Sequence, residues 1–163
     1  MPTSVGILLT VISIDAIIPI TSVFGDRMFE CMIIGDSIAV GTAQVRTECV
    51  SHSVGGYNTW QWNKKFANTD LSAKTMIISL GTNDHDGVHT FKELFKMRSR
   101  VDAERVFWIL PPCNNKFCKS EVNAIVEIIA RARGDTIITT NRLQRDSIHP
   151  SWIGYKELAN QTK

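Results

Sequence analysis

From Met28 onward, short apolar runs alternate with segments whose apolar residues recur every three or four positions. The runs at 29–34, 48–54, 75–80, 106–110 and 136–139 are strand-like and end at Gly, Pro or polar clusters. Between them, 37–46, 58–68, 89–100, 120–133 and 151–160 have helical spacing. The clearest is 120–133, where Val122, Ile125, Val126 and Ile129 form one stripe and Gly134 ends the helix. In 89–100, Phe91, Leu94 and Phe95 fall on one side. Ser151, after Pro150, suits the N-cap of the last helix.

Strand–helix alternation of this kind predicts an α/β fold with a five-stranded parallel sheet and helices on both faces. Right-handed crossovers then bring every strand's C-terminal end to one edge, and ligands bind beyond that edge. The polar residues that follow the strands are therefore the ones to examine. They are Gly35-Asp36-Ser37, Gly55-Gly56, Gly81-Thr82-Asn83-Asp84 and Asp146-Ser147-Ile148-His149-Pro150.

Those residues match the needs of acyl transfer: a hydroxyl nucleophile, a base, an orienter for the base, and donors for an oxyanion. Ser37 sits where a strand turns into a helix, so its N–H faces outward at a helix N-terminus. Gly56 brings a second backbone N–H close without a side chain in the way. Asn83 offers an amide donor. His149 suits a general base, and Asp146, three residues earlier, suits the group that holds its tautomer. Each residue also has a plainer reading: Ser37 as an N-cap, Asn83 in an Asx turn, Asp146 with His149 as a surface pair. Their joint occurrence, each just after a strand, is far more specific.

The same blocks resemble the SGNH (GDSL-type) hydrolases and esterases. The first block reads Ile34-Gly35-Asp36-Ser37-Ile38, with Ile where the family name has Leu. The second-block glycine matches Gly56, within Ser53-Val54-Gly55-Gly56-Tyr57-Asn58-Thr59. The third block is Gly81-Thr82-Asn83-Asp84, and the last spans Asp146 to His149 with Gly154-Tyr155 downstream. The resemblance covers residues 29–158. It implies a flavodoxin-like three-layer α/β/α sandwich, with Ser37 as nucleophile and His149 as base. It also implies an oxyanion hole from Ser37, Gly56 and Asn83, and neither a metal nor an organic cofactor. The chain is short for the family, so substrate-binding insertions are mostly missing and an open site is expected. An α/β-hydrolase is disfavoured, because its elbow is G-x-S-x-G while this chain has Gly35-Asp36-Ser37-Ile38-Ala39.

These features point to a serine esterase that works through an acyl-enzyme. An open site suits a small acyl group, such as acetyl, on a carbohydrate. The alternative is a non-catalytic structural or binding module that retains the fold. Tyr57, Trp60, Trp62 and Trp152 are candidates to line the substrate site, His52 reads as a rim or strand-end residue, and Trp108 as core. Asp84, His85, Asp86 and His89 form a dense ligand-like cluster, but the spacing matches no zinc motif and a polar rim is the preferred reading.

Charge and composition narrow the partners. The 163 residues are 44% hydrophobic and 21% charged, which excludes a disordered chain or a coiled coil. With 18 basic against 16 acidic residues, there is no dense basic face for nucleic acid. Arg98, Arg100 and Arg105 read as a solvated helix end. Cys31 and Cys49 lie in apolar runs and read as buried free thiols. Cys113 and Cys118 flank Asn114-Asn115-Lys116-Phe117, and either a loop disulfide or free thiols fits them. Residues 1–27 precede the 28–163 domain and include an apolar stretch, 5–20, interrupted by Asp15 and Pro19. It reads as a signal or membrane anchor, as a packed extension, or as sequence upstream of a true start at Met28. An extracytoplasmic location is slightly favoured over a cytoplasmic one.

Overall fold

The computed structural model describes residues 28–163, so the expected apolar extension over 1–27 lies outside the described residues. Five strands and five helices alternate. They run β1 (Phe29–Gly35), α1 (Ser37–Ala43), β2 (Val50–Ser53), α2 (Thr59–Lys65), β3 (Ser72–Ser79), α3 (Thr90–Arg98), β4 (Asp102–Ile109), α4 (Ser120–Arg133), β5 (Thr136–Ile138) and α5 (Trp152–Gln161). All strand pairs are parallel, in the order β2-β1-β3-β4-β5. This is the expected three-layer α/β/α sandwich.

The two-residue period of the strands sorts their side chains into two cores. Met32, Ile34, Met76, Ile78 and Trp108 face one way and pack with Trp62, Leu94, Met97, Val122, Val126 and Ile129 of α2, α3 and α4. Cys31, Ile33, Ile77, Phe107 and Ile109 face the other way and pack with Ile38 and Ala39 of α1 and Tyr155 and Leu158 of α5. Among the described residues, no helix is long and apolar enough to cross a membrane.

Four sequence readings are corrected by packing. First, Phe91 and Phe95 stack on each other and remain half exposed. The buried side of α3 is Glu93, Leu94, Met97 and Arg98. Second, Arg98 is not a solvated helix end. It is buried and donates from Nε and Nη2 to both oxygens of Asp135, at 2.7 and 2.8 Å. Arg100 likewise donates to the carbonyls of Phe66 and Thr69. Third, Cys31 and Cys49 are buried but not free. Parallel pairing of Met32 with Val50 sets them side by side on adjacent segments, with Cα atoms 4.5 Å apart, and they form a disulfide. Cys113 and Cys118 form the second one. Fourth, Trp62 is fully buried in the core, its Nε1 donating to the His52 carbonyl at 2.9 Å. It is thereby removed from the substrate candidates.

Candidate active site

The strand order places a topological switch between β1 and β3: the chain leaves β1 for β2 on one side and returns to β3 on the other. At such a point the loops diverge and leave a crevice at the carboxyl ends of the strands. Gly35 ends β1 there with φ 143°, and a Cβ on it would sit 1.7 Å from the Ser79 carbonyl oxygen. Its lack of a side chain lets the Asp36 N–H reach that same oxygen at 2.9 Å, closing β1 onto β3.

Asp36 then caps α1, its Oδ1 accepting from the Ile38 N–H at 3.0 Å and its Oδ2 from the Thr82 N–H at 3.3 Å. The carboxyl is fully buried, and burial pushes it up to about 6 against the lowering effect of those donors. This clamp fixes the first turn of α1 and with it Ser37, the first helical residue.

The turn between β5 and α5 brings its own groups to Ser37. His149 Nε2 lies 2.9 Å from Ser37 Oγ, and His149 Nδ1 lies 2.7 Å from Asp146 Oδ2. An ionised carboxylate only accepts, so Nδ1 carries the proton and Nε2 is free to accept from the serine hydroxyl. Asp146 Oδ1 accepts from the N–H groups of Ile148 and His149, at 2.9 and 3.0 Å. The His149 side-chain bond first, and then the Ile148 N–H, hold this carboxyl down to about 2. Ser147, between them, has φ 61°, a left-handed conformation uncommon outside glycine.

Gly56 has φ 79°, and a Cβ built on it would meet no atom within 4 Å, so its surroundings are open. Among the described residues, neither the Ser37 N–H nor the Gly56 N–H is engaged in a hydrogen bond. Asn83 Nδ2 donates one hydrogen to the Tyr57 carbonyl at 3.1 Å. An amide nitrogen carries two, so one donor is left.

The other candidates fall in different places. Tyr57 is half-buried beside Gly56, its carbonyl held by Asn83. Trp60 is half exposed at the start of α2 and lines a groove of about 460 Å³ with Asn58, Gln61, His85 and His89. Trp152 is exposed at the start of α5, with Lys156 Nζ over its ring. The Asp84–His89 cluster does not act as one unit. Asp84 turns inward, and its carboxylate accepts from Thr59 N–H, Thr59 Oγ1 and Thr90 Oγ1, each at 2.8 Å. It braces the loop that carries Asn83, while His85, Asp86 and His89 are exposed. Among the described residues, no three His, Cys, Asp or Glu side chains are placed to hold a metal ion. The bracing role of Asp84 was not legible in the sequence, because Thr59 lies 25 residues away and neither it nor the nearer Thr90 belongs to any motif.

Neither a family model nor a curated protein matches the sequence. Solved structures do match the fold. A GDSL-like lipase from Bacteroides thetaiotaomicron superposes with a TM-score of 0.61 at 17% identity, covering 80% of this chain and 83% of its own. The fold is that of the GDSL-like lipases and acylhydrolases. An acetyl-xylooligosaccharide esterase from Geobacillus stearothermophilus gives a TM-score of 0.53 at 16% identity, covering 80% of this chain and 90% of its own. The C-terminal catalytic domain of Streptococcus pneumoniae peptidoglycan O-acetyltransferase A gives 0.54 at 19%, covering 82% and 89%. At such identities, the GDSL-type likeness extends to the fold; the chemistry has to be argued from the site.

Proposed function

We propose that the protein is a serine esterase that acts through an acyl-enzyme. The observation that carries this reading is the continuous chain of hydrogen bonds Ser37 Oγ–His149–Asp146, with links of 2.9 and 2.7 Å, at the topological switch of the sheet.

Ser37 Oγ attacks the ester carbonyl carbon while His149 Nε2 takes its proton. The imidazolium that forms is stabilised by the Asp146 carboxylate, which stays ionised throughout. The negative charge on the carbonyl oxygen is received by the Ser37 and Gly56 N–H groups and the second hydrogen of Asn83 Nδ2. Collapse of the tetrahedral intermediate breaks the bond to the alcohol, which leaves with the proton from His149. Water, activated by the same imidazole, then releases the acid and restores Ser37.

We propose an acetyl group on a carbohydrate as the substrate. Supporting this, two proteins of similar fold are named for acetylated-sugar chemistry, and the surroundings of Gly56 are open, with no atom within 4 Å of a Cβ built there. The likeness to an O-acetyltransferase favours a second outcome for the same intermediate, discharge onto a sugar hydroxyl instead of water. An oxidising, extracytoplasmic compartment is the setting that all four cysteines in disulfides support.

A fluorophosphonate probe and a panel of aryl esters from acetate to decanoate, with acetylated xylan and peptidoglycan, test this. Labelling at Ser37 and preference for acetate are expected. Ser37→Ala should abolish both while remaining folded. Persistent turnover by folded Ser37→Ala overturns the mechanism, and repeated failure of the native protein to label favours a non-catalytic module.

A further inference from the structure

The loop closed by the Cys113–Cys118 disulfide lies outside every motif of the active site, yet one of its side chains reaches into it. Asn114 Nδ2 donates to the Ser147 carbonyl at 2.8 Å. The other end of the Asn114 amide is fixed. Its Oδ1 accepts from the N–H groups of Lys116 and Phe117, at 2.9 and 3.1 Å, and its own N–H donates to the Phe117 carbonyl at 2.7 Å. The side chain is thus half-buried and locked in one orientation by the ring that the disulfide closes.

The Ser147 carbonyl belongs to the same peptide unit as the Ile148 N–H. A peptide unit is planar, so orienting its oxygen orients its N–H. That N–H is one of the two donors that hold Asp146 Oδ1. The adjoining Ser147 backbone is in the left-handed region, which has to be held by its surroundings.

We propose that Asn114 is a positioning residue for the His149–Asp146 pair, acting through the Ser147–Ile148 peptide, with the Cys113–Cys118 disulfide as its brace. The chain of bonds runs from Asn114 Nδ2 to the Ser147 oxygen, through the peptide to Asp146, and on to His149 and Ser37. Asn114 touches no reacting atom. It fixes the carboxylate whose direction fixes the imidazole. This rests on the esterase reading for its consequence in turnover, but not for its consequence in geometry.

Asn114→Asp separates positioning from loop structure. An aspartate keeps the Oδ acceptor for Lys116 and Phe117 but loses the donor to Ser147. Two readouts are taken on Asn114→Asp, Asn114→Ala and Cys113→Ser/Cys118→Ser: kcat and KM on an aryl acetate, and the far-downfield proton resonance of His149 Nδ1–H. Both Asn114 variants should lower kcat about tenfold or more with little change in KM, since a small misplacement of a catalytic group is costly. Both should shift or broaden the Nδ1–H resonance. The double serine variant should do the same in part, and should add little in the Asn114→Asp background, because the two act through one bond. Unchanged kcat and an unchanged resonance in folded Asn114→Asp overturn the proposal. If the native protein hydrolyses no ester, the resonance alone still decides the positioning role, and only the esterase reading fails.

Discussion

Asp36 should leave a pH signature on stability that is readable in a single comparison. Its carboxyl is fully buried, and burial raises it from 3.8 to about 6. The folded state therefore binds this proton more tightly than the unfolded chain does. Stability from the group is fully present below about 3.8, and is lost as pH rises through about 6. A shift of this size corresponds to about 3 kcal/mol in all, and integrating the two titrations puts about 2 kcal/mol of the loss between pH 4.5 and 7.5. Asp36→Asn removes that titration. Its amide keeps one acceptor for the Ile38 N–H but sets an NH₂ against the Thr82 N–H, costing about 1–3 kcal/mol at every pH. The variant's curve should therefore lie lower at acid pH and close on the wild type as pH rises. Urea unfolding of both proteins at pH 4.5 and 7.5 measures this, and other titrating groups cancel in the difference. A gap between the two proteins that stays constant from pH 4.5 to 7.5 would refute the reasoning, because Asp36 would then be ionised alike in the folded and unfolded chains.

Asn83→Ala should lower kcat by about 10²–10³ with KM little altered, as loss of an oxyanion donor does; steady-state kinetics on an aryl acetate checks it, and a change confined to KM would make Asn83 a binding group only. Asp146 behaves oppositely to Asp36. The His149 side chain and two backbone N–H groups depress it to about 2, so its stabilisation is present above about 3.8 and is lost as pH falls toward about 2. Acid unfolding of Asp146→Asn should lack that part of the wild-type loss, and the same variant should stay folded at neutral pH with a strongly reduced kcat, because the imidazole loses its counter-charge.

The fold and the chemical residues were legible for the same reason. A parallel sheet buries both faces of its strands, so the strands read as apolar runs, and the residues that follow them gather at one edge. What escaped the sequence were contacts that need a register or a distant partner. The stripe Phe91, Leu94, Phe95 satisfies helical spacing, yet both phenylalanines stay half exposed while α3 buries, beside Leu94, the charged Glu93 and Arg98. Each of these two has a polar partner: Asn63 Nδ2 donates to Glu93 Oε2 at 2.7 Å, and Arg98 is paired with Asp135. Charged residues that are paired inside are invisible to a rule that equates burial with apolarity. The Cys31–Cys49 bond depends on the β1–β2 register, which no single strand encodes. β4 starts at Asp102, ahead of its apolar part, because backbone pairing of Asp102 and Ala103 with Ser72 and Ala73 extends the ladder through a half in which Asp102, Glu104 and Arg105 are exposed.

The site also shows why its last component needs bracing. Ser37, Gly56 and Asn83 each follow directly from β1, β2 and β3, which are neighbours in the sheet. His149 follows β5, at the far edge, three strand spacings from β1, or roughly 14 Å. The segment between Ile138 and Trp152 has to cross that distance, and it contains no helix or strand of its own. Two of its anchors bear directly on the site. At its end, α5 packs Tyr155 and Leu158 against Ile38 and Ala39 of α1, and Arg46 binds the Ala159 carbonyl and the Thr162 hydroxyl. In its middle, Asn114 holds the Ser147 carbonyl. The first anchor ties the segment to the helix that carries Ser37, and the second ties its left-handed Ser147 to a disulfide-closed loop. An imidazole delivered from the opposite edge of a sheet is held 2.9 Å from a serine by fixing its path both beside that imidazole and where the segment ends.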